Sequence, residues 1–234
     1  MVSVVIPTYN ERENLQTLLP QLLYRFAASQ TRAEVIVVDD TSPDGTAEVV
    51  QYYRRRFPHR LRLLSQPGKM GLGNAYRAGM KNALEHGADY VVQMDADGSH
   101  DHKDLARLLS PLAKQQADLV IGSRYVSGGD VQNWSLRRRL MSRSGAAYAR
   151  TILQSRIHDI TSGFRAWDRE LLGKTLFTTT RSDGYAFQIE MARRAELAGG
   201  RIVELPITFT ERRDGVSKLS REIVREAVVT PWKI

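Results

Sequence analysis

The apolar positions of this chain fall into short unbroken runs separated by longer stretches in which they recur at helical spacing. Runs at 2–6, 34–38, 61–64, 90–94 and 118–121 are bounded by polar or turn-forming residues, and each predicts a strand. Between them, Leu15, Leu18, Leu19, Leu22 and Leu23 mark one face of a helix, and 46–53, 75–84 and 105–112 behave likewise. Helical segments separating short strands predict a parallel sheet built from right-handed crossovers. After about residue 124 the rhythm changes. A loop at Gly128-Gly129 leads into a strongly basic helix over 136–153, followed by a turn at Thr161-Ser162-Gly163. A helix near 185–198, a last strand over 202–209 and an amphipathic stretch at 223–229 complete the pattern. The fold class is α/β, with a mainly parallel central sheet flanked by helices.

Composition narrows the chemistry. A chain of 234 residues suits one domain and buries roughly 70–75% of its unfolded surface, so it has no need of disulfides. It has no cysteine, which excludes a disulfide scaffold, a thiol nucleophile and cysteine-ligated zinc. The formal charge of +8 suits an anionic partner: phosphate groups, a membrane surface or nucleic acid. No run approaches the roughly 20 apolar residues needed to cross a bilayer. Met1 directly precedes the first strand, which argues against a signal peptide. The expectation is a cytoplasmic protein whose contact with membrane is peripheral.

Candidate chemistry gathers at strand ends. Asp95-Ala96-Asp97 follows the run Tyr90-Val91-Val92-Gln93-Met94, so two carboxylates one residue apart stand where a buried strand stops. Charges at the edge of an apolar core need compensation, and a divalent cation bridging to a diphosphate supplies it. Ligands of open parallel sheets bind just beyond the carboxyl ends of the strands. The calcium-loop alternative fails, because that pattern needs Gly at the sixth position and Glu at the twelfth. Here Gly98 is fourth and Ala106 falls twelfth. Carboxylates joined by waters and substrate phosphates suit Mg²⁺ or Mn²⁺. His100 and His102 raise zinc as a minor alternative.

Other segments divide between structural and chemical readings. Pro7 is expected to stop the first strand and Asn10 to cap the next helix, while Tyr9 and Glu11 stand where a base and ribose would sit. At Asp39-Asp40 one carboxylate suits a helix cap and the other a nucleoside. Gly68-Lys69-Met70-Gly71-Leu72-Gly73-Asn74 lacks both the phosphate-loop and dinucleotide spacings and reads as a tight turn before a helix. Arg124 ends the fifth strand, and Arg138 and Ser142 lie four apart on the basic helix, where both can hold a phosphate. Leu136, Leu140 and Met141 among arginines also suit a membrane-surface segment. Arg212 and Lys218 lie in a polar loop that by itself is ordinary.

Taken in order, these segments resemble the polyprenyl-phosphate (dolichyl-phosphate) mannose synthases among the family 2 inverting glycosyltransferases. The likeness runs from Pro7-Thr8-Tyr9-Asn10-Glu11 through Asp39-Asp40, Gly71-Leu72-Gly73, Asp95-Ala96-Asp97 and Gly122-Ser123-Arg124-Tyr125. It continues through Trp134, Arg138, Ser142, Ser162-Gly163-Phe164-Arg165 and Arg212 to Lys218, with wording most like the actinobacterial branch. The resemblance implies a GT-A fold, a GDP-mannose donor, a polyprenyl phosphate acceptor and Mg²⁺ or Mn²⁺. It assigns the guanosine to Pro7, Tyr9, Glu11, Val38 and Asp40, and the rest of the donor to Asp95, Ala96 and Asp97. Asp97 becomes the principal metal ligand with Asp95, and Ser99 stands where some relatives carry a further ligand, Gln. Arg124, Arg212 and Lys218 meet the phosphates, with catalysis assigned to Asp95, Asp97, Arg212 and Lys218. The lipid phosphate falls to Arg124, Arg138 and Ser142.

The same resemblance divides a single domain, 1–234, into a nucleotide-binding half (1–123) and an acceptor-binding half (124–234) ending in an amphipathic helix. A phosphate acceptor is largely ionised at neutral pH and needs no general base, in keeping with the lack of a Ser-His-Asp arrangement. Rival readings are transfer of glucose or another sugar from a UDP donor, and nucleotidyl transfer. Nucleic-acid binding is not expected, because the basic residues are scattered among the phosphate-site segments. A separate membrane-anchored partner protein is left open by the sequence.

Overall fold

A computed structural model describes residues 1–29, 31–210 and 229–234. Seven strands form one sheet: β1 (Val2–Thr8), β2 (Ala33–Asp39), β3 (Leu61–Ser65), β4 (Tyr90–Gln93), β5 (Leu119–Ser123), β7 (Arg165–Asp168) and β8 (Ile202–Pro206). Their order across the sheet is β3-β2-β1-β4-β7-β5-β8. All pairings are parallel except those of β7, which runs antiparallel to both neighbours. A small second sheet pairs β6 (Asp130–Gln132) with β9 (Thr208–Thr210). The α/β expectation is met.

Strands β2 and β5 are buried at every position, as uninterrupted apolar runs require when helices cover both faces. One face packs on α1 (Arg12–Ala28), α2 (Thr46–Arg56) and α4 (Leu105–Ala113), the other on α3 (Leu72–Glu85), α5 (Leu136–Leu153), α6 (Arg169–Lys174) and α7 (Gly184–Leu197). In α1 the buried residues are Leu15, Leu18, Leu19, Leu22, Leu23 and Phe26, the helical stripe the sequence predicts. Each such side chain stabilises the fold by about 1.5–3 kcal/mol. Helix α3 lies unusually close to the sheet. A Cβ at Gly79 would stand 2.3 Å from Val5 Cγ1, so only glycine fits there.

Several expectations need correction. Pro7 does not end strand pairing, because β1 runs through Thr8 and pairs Pro7 with Val38. Val5 O accepts from Met94 N and Thr8 O from Asp40 N, so the N–H that proline lacks faces β4, whose pairing already stops at Val5. Asn10 does not cap α1; it adopts φ +59°. The entering turn is satisfied from the next loop instead, with Glu11 N donating to Thr46 Oγ1 and Arg12 N to Asp44 Oδ2. The final strand divides at Ile207, whose N–H donates to Ser123 O, so its two pieces join different sheets. Strands β6 and β7 and helix α6 were not anticipated. The amphipathic stretch at 223–229 lies outside the described residues except for Val229.

The inverted strand β7 positions the site. Because it runs against its neighbours, it begins at the edge of the sheet where β4 and β5 end. The segment before it, 159–164, therefore arrives beside the segment after β4. Residues far apart in the chain meet there.

Candidate active site

Beyond β4 the chain turns through Asp95, Ala96 and Asp97, and Gly98 permits the turn with φ +73°. Asp97 Oδ1 accepts from Ser99 N at 3.0 Å, and Asp95 N donates to His100 Nδ1 at 3.2 Å. His100 is buried and stacks on Phe164, with ring centroids 4.8 Å apart and planes 9° from parallel. That packing holds the acidic segment against the start of β7. From α3, the Tyr76 hydroxyl donates to Asp95 Oδ1 at 3.2 Å. Burial, then the nearby Asp95 charge, push the Tyr76 phenol well above its ordinary pKa.

Asp95, Asp97, Ser99 and His100 form one wall of a cavity of about 100 Å³. Arg124, Trp134, Arg138, Thr161 and Gly163 also line it. Arg124 is buried and held at two points by Asp159: Nε donates to Oδ2 at 2.8 Å and Nη2 to Oδ1 at 2.7 Å. Nη2 also donates to Thr161 Oγ1 at 3.0 Å, and Nη1 makes no hydrogen bond among the described residues. Burial opposes the Arg124 charge, but the Asp159 carboxylate outweighs it and raises the pKa. The Arg138 guanidinium stacks 4.3 Å from the Trp134 ring centroid, a cation–π contact that steadies a second cation at the same wall. Two carboxylates and two guanidinium groups thus converge on one small space.

The predicted nucleoside residues lie at the ends of β1 and β2, apart from that cavity wall. Asp39 does serve the turn: Oδ2 accepts from Ser42 N and Oδ1 from the Ser42 and Thr8 hydroxyls. Asp40 Oδ2 accepts from Met70 N at 3.0 Å and Gly71 N at 2.9 Å, whereas Oδ1 is buried with no partner among the described residues. Burial raises the Asp40 pKa despite those two bonds. Gly71, at φ +91°, makes the tight turn the sequence predicts before α3. Lys69 Nζ lies 4.3 Å from the Tyr9 ring centroid, and Glu11 Oε2 accepts from Asn14 Nδ2 at 2.6 Å.

Ser142 is one turn beyond Arg138 but is not part of the cavity wall; its hydroxyl is 2.6 Å from that of Tyr125. Arg212 and Lys218 lie outside the described residues. Thr210, the last described residue before them, donates its N–H to Ser99 O at 3.3 Å. Sequence reasoning gave no role to Tyr76 or Asp159, placed Thr161 only in a turn and raised His100 only as a minor zinc alternative. For Asp159 the available signal was a carboxylate between Ile157 and Ile160, an expensive place for an unpaired charge.

No group of three or more His, Asp or Glu able to hold a metal occurs among the described residues. Mg²⁺ and Mn²⁺ do not require one, since one or two carboxylates with waters and substrate phosphates suffice. Asp95 and Asp97 facing one cavity beside the Ser99 hydroxyl fit such an ion. Near Asp95, a Cβ at Gly163 would stand 3.6 Å from both carboxylate oxygens, so the glycine keeps that approach open.

Known proteins resemble this chain along nearly its whole length. The profile described as "Glycosyl transferase family 2" matches residues 3–176. A polyprenol monophosphomannose synthase of Mycolicibacterium smegmatis is 46% identical over 233 residues, covering 99% of this chain and 86% of that protein. An undecaprenyl-phosphate mannosyltransferase of Micrococcus luteus is 45% identical over 233 residues, covering 99% of this chain and 93% of its own length. Among solved structures, mannosyl-3-phosphoglycerate synthase from Rubrobacter xylanophilus superposes with a TM-score of 0.70 at 20% identity. That match covers 100% of this chain and 72% of the other. Glucosyl-3-phosphoglycerate synthase from Mycobacterium tuberculosis, crystallised with Mn²⁺, UDP-glucose and phosphoglyceric acid, gives 0.69 at 20% identity, covering 100% and 80%. These likenesses identify the fold as GT-A.

Proposed function

Since the chain belongs to glycosyl transferase family 2 and is a glycosyltransferase, we propose that it transfers mannose from GDP-mannose to a polyprenyl monophosphate with inversion. The observation that carries this reading is the convergence of Asp95 and Asp97 with Arg124 and Arg138 on one cavity. A sugar donor brings a diphosphate that needs cations, and a lipid phosphate brings a second anion to the same place. Four charged side chains of both signs suit that load.

In the reaction the bond between the anomeric carbon and the diphosphate breaks, and an acceptor phosphate oxygen forms the new bond on the opposite face. Asp95, Asp97 and Ser99 would hold Mg²⁺ or Mn²⁺, and such an ion would supply positive charge to the leaving diphosphate. Tyr76 and the His100 packing orient the acid pair. Arg138 and Arg124 receive the acceptor phosphate, with the Arg124 fork fixed by Asp159 so that it stays put as charge shifts. Arg212 and Lys218 assist the diphosphate, and Ser142 steadies the acceptor side through Tyr125. The acceptor arrives ionised, so no side chain removes a proton. Asp40, whose buried Oδ1 has no partner among the described residues, suits the donor edge of a guanine; Pro7, Tyr9, Glu11, Val38 and Ala96 complete the donor site.

A lipid acceptor implies contact with a bilayer. No helix of the described residues is long and apolar enough to cross one. Helix α5 supports peripheral contact instead: Leu136 is 84% exposed, Leu140 69% and Met141 51%, beside Arg137 and Arg143. Incubation with radiolabelled GDP-mannose, Mg²⁺ and a polyprenyl phosphate tests the reading. Labelled lipid is expected; label from a UDP-sugar alone, or release of pyrophosphate, overturns it.

A further inference from the structure

The seven-stranded sheet ends on two outer strands, β3 and β8, and they are finished differently. In the β2–β3 ladder Val35 N donates to Arg60 O and Gln66 N to Asp39 O, so Arg62 and Leu64 are the β3 residues bonded to β2. Leu61, Leu63 and Ser65 therefore turn their N–H and C=O groups outward, where none has a hydrogen bond among the described residues. On β8 the outward positions are Ile202, Glu204 and Pro206. Proline has no N–H to offer, and the Pro206 carbonyl accepts from Arg107 Nη2 at 3.0 Å. The β8 edge is blunted; the β3 edge is open.

The open edge lies in a groove of about 970 Å³. Arg32, Arg54, Arg60 and Arg62 line it, against the single carboxylate of Glu34. That carboxylate is already engaged: Oε2 accepts from Arg62 Nε at 2.8 Å and Oε1 from the Ser3 hydroxyl at 2.9 Å. Arg60 Nη1 donates to a carbonyl, Ala33 O, at 3.2 Å. Arg32 and Arg54 are exposed and have no carboxylate partner among the described residues. Leu63 and Leu64 are half-buried against opposite faces of the sheet, so apolar surface remains on either side of the strand.

Like charges on an outer strand keep identical edges apart, which disfavours a second copy of this chain as the occupant. Position disfavours a bilayer. Met1, Arg32 and Arg60, which line the groove, stand just before β1, β2 and β3, whereas Asp95 and Asp97 lie beyond the far end of β4. The exposed leucines of α5 flank Arg138 of the cavity wall, so a membrane met through them leaves the groove in water. We infer that the outer edge of β3 docks an extended acidic segment of a partner protein, which adds to the sheet as a further strand. Its backbone pairs with Leu61, Leu63 and Ser65, and its carboxylates meet Arg32 and Arg54. Such docking does not depend on the transfer reaction, whose cavity stays open at the other end of the sheet.

A fluorescein-labelled peptide of alternating Glu and Val, titrated against the full chain, tests this by anisotropy, with amide exchange followed by NMR. Binding is expected, together with slowed exchange at the Leu61, Leu63 and Ser65 amides. Arg32→Glu with Arg54→Glu should weaken binding at least about 10-fold while melting and mannosyl transfer hold. Ser65→Pro removes one outward N–H at an exposed position and no ladder bond, and should weaken it about 3- to 10-fold. The same peptide with its backbone amides methylated keeps the charge and lacks the donors; it should bind at least about 10-fold more weakly. Equal binding of the two peptides overturns the docking strand, as does a wild type that binds neither or unchanged exchange at those amides. Loss of co-sedimentation with phosphatidylglycerol vesicles in the double arginine variant overturns it in favour of a membrane. Self-association of the wild type that Ser65→Pro abolishes overturns it in favour of a second copy.

Discussion

Arg124 and Asp159 face one another as a buried two-point pair, 2.8 Å from Nε to Oδ2 and 2.7 Å from Nη2 to Oδ1, across 35 residues of chain. The pair joins the end of β5 to the segment that leads into β7. Asp159→Asn leaves the guanidinium buried without its counter-charge. A loss of about 3–5 kcal/mol in unfolding free energy is expected from urea titration.

The same pair sets an acid limit to stability. Burial alone would raise the Asp159 pKa, but the Arg124 charge and its hydrogen bonds hold it below the ordinary carboxylate range. A carboxylate with a depressed folded pKa contributes stability above its unfolded value of about 4, and that stability is lost as pH falls through the folded value. Wild-type midpoints in urea should therefore drop steeply below about pH 4. Asp159→Asn should lack that component of the fall.

Tyr76 orients Asp95 with a single hydroxyl while its ring stacks on Phe187, centroids 5.8 Å apart. Tyr76→Phe keeps the stacking and removes the donor. Stability should change by no more than about 1.5 kcal/mol. The rate should fall about 10-fold, because the carboxylate loses its fixed orientation. Parallel measurement of melting and of kcat separates the two effects.

Asp97→Ala should abolish mannosyl transfer, and a chelator should do the same to the wild-type enzyme, with activity returning on addition of Mg²⁺ or Mn²⁺. Calorimetric titration with Mn²⁺ and GDP checks the ligand role directly. A fully active Asp97→Ala enzyme would remove the metal from the account.

The exposed stripe on α5 makes a separate prediction. Leu136→Ser with Leu140→Ser should reduce co-sedimentation with anionic vesicles at least about 10-fold, since burial of each leucine is worth about 1.5–3 kcal/mol. Transfer to a short, water-soluble acceptor phosphate should persist. Unchanged sedimentation would direct attention to another face.

Much of the fold was legible because its strands are covered on both sides: Val35-Ile36-Val37-Val38 and Leu119-Val120-Ile121 stand out as apolar runs. Asp95 and Asp97 were legible for the converse reason, as charges that cut such a run short. Arg165-Ala166-Trp167-Asp168 was not, because four residues with charged ends become a strand only through β4 and β5 on either side. The partner of Arg124 was equally hidden, since nothing local links it to a carboxylate 35 positions onward. Asn10 misled through its residue type: the cap chemistry was present, but the neighbouring loop supplied it.

Among the described residues β7 alone joins β4 to β5 in the sheet, so β5 stays detached from the first four strands until the chain has been made past residue 168. A fragment cut at the end of β5 would leave one edge of β4 and both edges of β5 unpaired. On the proposed reading, new acceptor preferences would then arise by remodelling side chains and loops in place, because residues 124–234 cannot be exchanged without removing the middle of the sheet.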